Sequence, residues 1–191
     1  MTWIIIRGSG LAAFGLLAAS TIWGLMVSSG FLGRLVKAKP LTYMHESLAV
    51  GAILATIVHL VALSLDTFID FGWRELFIPG ASAFESLWVT FGIIAFYGML
   101  VVSGSFYVRK HIGQKAWRYI HFSTFGIYLA TAVHGLMAGT DSGNAYVRGL
   151  YVGSTAVVIG LTAMRVAAGG AKARPKRKLQ PAPEPAKAEA A

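Results

Sequence analysis

Two stretches of this sequence set imidazoles inside apolar runs long enough to cross a bilayer. Residues 44–65 read MHESLAVGAILATIVHLVALSL and hold His45 and His59; residues 119–139 read YIHFSTFGIYLATAVHGLMAG and hold His121 and His134. In hydrocarbon a backbone must satisfy its own N–H and C=O groups, so such runs are helices and neither strands nor loops. An ionisable side chain in that setting is expensive and marks a functional site. Four of the five histidines fall in these two runs, which points to metal ligation, with haem iron as the metal.

On an ideal helix the fourteen-residue step from His45 to His59 returns to within roughly 40° and climbs ~21 Å, one site near each membrane face. The stripe between them carries Ala49, Ala52 and Thr56, small residues that leave room for a flat macrocycle. The thirteen-residue step from His121 to His134 puts them roughly 140° apart. Spacing alone therefore leaves that pair open between haem ligands and packing histidines bonded to neighbouring helices. Gly126 and Gly135 permit local distortion or close approach of a porphyrin.

The rest of the chain predicts an all-α membrane bundle of five spans, at roughly 8–29, 41–65, 84–106, 119–139 and 146–168. A hydrophobic fraction of 55% is too high for an ordinary soluble domain of this length. The first span is rich in Gly, Ala and Ser, the composition of a closely packed helix. It is expected to be retained and not cleaved as a signal, because only Arg7 precedes it while Arg34, Lys37 and Lys39 follow. Pro40 marks a break before the second span. Residues 66–85 form the longest connection between spans, with four acids, one arginine and interleaved Phe71, Trp73 and Phe77. This pattern suits an interfacial anchor and a docking surface for a redox partner. His111 lies in the basic turn RKHIGQKAWR and reads as a solvated residue. Residues 1–168 form the transmembrane domain, and the Ala-, Pro- and Lys-rich residues 169–191 form a disordered tail suited to anionic lipid.

Absence of cysteine excludes thiolate-bound iron–sulfur clusters, covalent haem attachment and disulfides within the chain. A net charge of +9 raises nucleic acid as a partner, yet the basic residues follow the span boundaries and no nucleic-acid motif accompanies them. Of 17 Lys and Arg, 14 fall in the first and third connections and from Arg165 onward, leaving Arg7, Arg74 and Arg148 with five of the eight acids on the other side. Basic residues collect in the cytoplasm, so the N-terminus is expected outside and the C-terminus inside. The second and fourth spans then run parallel, pairing His45 with His121 at the inner face and His59 with His134 at the outer. Arg118 is placed to neutralise an inner haem propionate and Arg7 an outer one, while Lys115 beside Arg118 reads first as a topology residue. No residue is assigned a catalytic role. The single GSG at residues 8–10 opens an apolar span with no preceding strand and is not a dinucleotide site.

The two histidine helices separated by one span, their fourteen- and thirteen-residue spacings, and the GQKAWRYIH sequence at the start of the second resemble the ferric-reductase-like transmembrane domain. That module is shared by ferric reductases, NADPH oxidases and the membrane subunit of the bacterial methionine sulfoxide reductase system. The resemblance covers residues 7–168. It implies two b-type haems, with His45, His59, His121 and His134 as axial ligands and the odd second spacing as a family feature. Oxidase-type members have six spans and a cytoplasmic flavin and nicotinamide domain, whereas five spans and no such domain are expected here. Flavin would therefore belong to a separate cytoplasmic flavoprotein reductase, docked on the basic inner surface. Electrons would leave to an extracytoplasmic acceptor, with the chain serving as the electron-transfer subunit of an oxidoreductase in a plasma membrane, specifically a bacterial inner membrane. Two rival expectations are a quinol-linked cytochrome b subunit and a haem-free assembly or transport subunit.

Overall fold

The computed structural model of the protein describes residues 2–29, 38–69 and 71–172. Arg34, Lys37, Asp70, the side chain of Lys39 and residues 173–191 lie outside the described residues; residues 169–172, expected in the disordered tail, continue the last helix. Seven helices follow in order: α1 (Thr2–Ser28), α2 (Ala38–Ser64), α3 (Trp73–Phe77), α4 (Ser86–Tyr107), α5 (Arg109–Phe122), α6 (Thr124–Met137) and α7 (Ala145–Lys172). Among the described residues no strand occurs.

Four helices are long and apolar enough to cross a membrane: Thr2–Ser28, Pro40–Ser64, Ser86–Tyr107 and Ala145–Ala167. Their outward faces carry Leu54, Val101, Ile159 and Met164, each more than half exposed. An apolar surface of that extent requires lipid, and the protein is a membrane protein. Pro40 sits in the first turn of α2, not ahead of it; there its missing N–H breaks no helical hydrogen bond.

The stretch expected as the fourth span is instead two helices of 14 residues each. Within α5, Gly113 leaves the helical region at φ 82°, ψ 154°, a conformation open to glycine. At the junction with α6, the Ser123 amide bonds the Ile120 carbonyl at 3.1 Å in a tightened turn. Side-chain hydroxyls take carbonyls as well: Ser123 Oγ donates to Ile120 at 2.6 Å, and Thr124 Oγ1 donates to His121. Hydroxyls bonded to the local backbone compete with the helical ladder, and Ser-Thr in tandem interrupts it here. His121 and His134 consequently lie on either side of a tightened turn, so a thirteen-residue step measured on one ideal helix does not apply.

Packing centres on α1, the most buried of the four long helices, with 33% of its most apolar window buried against 11–17% in the other three. Phe14, Leu17, Ala18 and Leu25 form one core with Ala52, Ala95, Met99, Ile127, Tyr128, Ala132, Tyr151 and Val158. Phe14 is 1% exposed and its ring lies 4.2 Å from that of Tyr151 and 5.8 Å from that of Tyr128. Tyr128 keeps its hydroxyl satisfied by donating to Ser154 Oγ at 2.8 Å, as a buried phenol must. α1 packs most extensively on α2, and α4 on α6. Both pairs are antiparallel, since residues early in one helix bond residues late in the other.

Candidate functional site

The two pairings just described serve the histidines directly. His59 Nδ1 donates to the Ile6 carbonyl of α1 at 2.8 Å, and His45 Nδ1 donates to the Ser20 carbonyl at 2.9 Å. His134 Nδ1 donates to the Trp88 carbonyl of α4 at 2.9 Å. A carbonyl can only accept, so each ring carries its proton on Nδ1 and keeps the lone pair on Nε2. Ligand histidines in metalloproteins are oriented and tuned by this kind of bond.

One turn beyond each accepting carbonyl stands a glycine. A Cβ on Gly10 would lie 3.1 Å from His59 Cε1, one on Gly24 would lie 3.0 Å from His45 Cε1, and one on Gly92 would lie 2.7 Å from His134 Nδ1. Each imidazole therefore rests close against bare backbone: a Cβ on Gly92 would force a shift, and one on Gly10 or Gly24 would need the ring to give by a few tenths of an ångström.

His45 and His121 face each other across a cavity of about 360 Å³, which also takes in Ala49, Met99, Phe106, Arg109 and Trp117. Their ring centres are 6.0 Å apart at an interplanar angle of 78°. Two imidazoles sharing one metal through bonds of about 2 Å have ring centres about 6 Å apart, so this pair has the separation a shared iron needs. His121 has no Nδ1 partner among the described hydrogen bonds; it stacks on Trp117, with ring centres 5.1 Å apart and planes at 18°.

His59 and His134 line a second cavity of about 200 Å³, together with Arg7, Thr56, Met99, Thr131 and Asp141. Arg7 Nε donates to Asp141 Oδ2 at 2.6 Å, and a second guanidinium nitrogen pairs with Oδ1. The connection from α2 to α4 closes over this cavity through Ile69, Phe71, Glu75, Leu76 and Phe84. It is anchored by Tyr97 Oη on the Phe77 carbonyl and the Gly80 amide on Thr90 Oγ1, both 2.8 Å. Phe71 and Leu76 are buried while Trp73 is 68% exposed.

Ala49 thus lies at one cavity, Thr56 at the other, and Ala52 is buried between them, as the small-residue stripe on α2 anticipates. Arg7 lines the His59–His134 cavity, paired with Asp141. Arg118 is exposed and does not line the His45–His121 cavity; Arg109 does. Lys115 and His111 are exposed. Among the described residues no group of three or more His, Cys, Asp or Glu is placed to hold a metal ion. Sequence reasoning missed the carbonyl and glycine seats, Trp117 and Arg109, and the closing connection. A signal for the first existed: Gly10 and Gly24 repeat the fourteen-residue spacing of His45 and His59.

Compared with protein-family models, curated proteins and solved structures, the chain has no significant match.

Proposed function

We propose that the protein is a two-haem, b-type transmembrane electron carrier of the ferric-reductase-like kind. It would take electrons from a cytoplasmic flavoprotein reductase and deliver them to an extracytoplasmic acceptor. The observation that carries this reading is the imidazole pair at 6.0 Å, with three of the four histidines proton-locked on Nδ1 by a backbone carbonyl. Those three bonds leave the Nε2 lone pairs of His45, His59 and His134 unused by the backbone, and all four histidines line cavities.

His45 with His121 would hold one haem and His59 with His134 the other. Bound by imidazole on both faces, a haem supplies a one-electron couple with no open coordination position, which suits transfer without substrate binding at iron. Ile6, Ser20 and Trp88 fix ring orientation through their carbonyls, Gly10, Gly24 and Gly92 let the rings reach those carbonyls, and Arg7 adds positive charge beside the second cavity. α6 with the last residues of α5 would make a fifth crossing, which would put the N-terminus outside and the basic tail in the cytoplasm. The distribution of Lys and Arg supports that orientation. A basic inner surface favours an acidic donor whose association weakens with salt.

The test is spectroscopic. Protein purified from cells supplied with haem should give sharp b-type bands in a dithionite-reduced minus oxidised spectrum. NADPH alone should reduce it slowly, and NADPH with a flavin reductase rapidly. Folded protein without b-type bands would overturn the reading.

A further inference from the structure

The cavity between His45 and His121 holds a polar group with nothing to bind. Trp117 lines it, and its indole Nε1 is shielded from solvent without a hydrogen-bond partner among the described residues. A buried indole N–H normally finds an acceptor. Beside it Arg109 lies over two rings, its Cζ 5.3 Å from the centre of Trp117 and 4.9 Å from that of Phe106, within cation–π range. No acidic side chain pairs with Arg109 among the described residues. Glu46 lines the same cavity and accepts from Tyr107 Oη at 3.4 Å. An unmet N–H donor next to an unpaired guanidinium is complementary to a carboxylate.

We infer that Trp117 and Arg109 form a carboxylate clamp that binds a propionate of the haem held by His45 and His121. The inference rests on the haem reading above and replaces Arg118 in that role. Because the same indole stacks on His121, Trp117 would link the carboxylate it holds to the histidine that holds the haem. The guanidinium offsets the carboxylate's charge where Glu46 would otherwise repel it.

Haem b and haem b dimethyl ester, which lacks the carboxylates, are the two probes. Each is titrated into haem-depleted full-length protein carrying His134→Ala, so that only the His45–His121 site reports. Trp117→Phe keeps the stacked ring and removes the N–H, Arg109→Gln removes the charge at an exposed position, and Arg109→Lys restores charge without the planar fork. Loss of a hydrogen bond to a charged group predicts haem binding about tenfold to a hundredfold weaker in Trp117→Phe and Arg109→Gln, with partial recovery in Arg109→Lys. Binding of the ester should be the same in all four proteins. Equal weakening for haem and ester would reduce Trp117 and Arg109 to packing and overturn the clamp, as would unchanged haem binding. Failure of the parent protein to bind either probe would overturn the haem reading itself.

Discussion

At the His59–His134 cavity both imidazoles are anchored on backbone carbonyls of neighbouring helices, whereas at the His45–His121 cavity only His45 is. The fourth ring, His121, sits two residues before the Ser123 interruption and is steadied by an indole face. A carbonyl in a long helix cannot swing away, while a stacked side chain on a short, interrupted helix can. The two sites thus present the same ligand chemistry on supports of unequal stiffness. The closing connection adds to the contrast, since it covers the His59–His134 cavity and not the His45–His121 cavity.

Loss of a ligand should have the largest effect. His59→Ala or His134→Ala should remove one haem and leave the other, and His45→Ala or His121→Ala should do the converse. Haem content of each purified variant checks this, and retention of both haems in any of the four would break the pairing. If support stiffness matters, wild-type protein exposed to excess apomyoglobin should surrender the haem of the His45–His121 site first.

Next come the glycine seats. Gly92→Ala puts a Cβ 2.7 Å from His134 Nδ1, closer than real Cβ contacts, and overpacking of that kind destabilises by about 1–3 kcal/mol. It should reduce haem at the His59–His134 site and lower Tm. Gly10→Ala and Gly24→Ala, with Cβ atoms at 3.1 and 3.0 Å from their rings, should have smaller effects in the same direction. Gly8→Ala and Gly104→Ala meet open space and should change nothing. Equal effects at all five positions would mean the glycines are only generic helix-packing residues.

Arg7→Gln should act on one site alone. It breaks the ion pair with Asp141 and withdraws positive charge from the His59–His134 cavity, so the midpoint potential of that haem should fall while the other stays put. Asp141→Asn, which leaves Arg7 charged and unpaired, should move the potential the opposite way. Redox titration followed by absorbance reads both.

The smallest effect is expected for Ser20→Ala. Ser20 Oγ donates to the His45 carbonyl at 3.1 Å, a bond whose net contribution is about 1 kcal/mol. The bond that orients the imbedded ring comes from the Ser20 backbone and survives the substitution. Tm should drop slightly with haem content intact, by thermal melt and absorbance.

How far the sequence alone reaches depends on the kind of constraint. Apolar length and histidine position are written residue by residue, so α1, α2, α4, α7 and the membership of both pairs are readable. The small residues Ala49 and Thr56 each reach one of the two cavities, with Ala52 buried between them. What the sequence hides is relational. The interruption at Ser123 depends on which carbonyls two hydroxyls capture. The Trp88 carbonyl and Gly92 become meaningful only when α4 lies antiparallel to α6. Arg118 is nearest to His121 in sequence, but Arg109 reaches the cavity, because the chain leaves the helical region at Gly113 and turns between them.

The most direct test is the ratio of haem to protein in the wild-type chain, by haem extraction against amino-acid analysis, on protein expressed with haem in excess. We expect two haems per chain, falling to one in His45→Ala and to one in His59→Ala. A wild-type value of one, or a value of two that survives either substitution, would contradict the assignment of paired histidines to two sites.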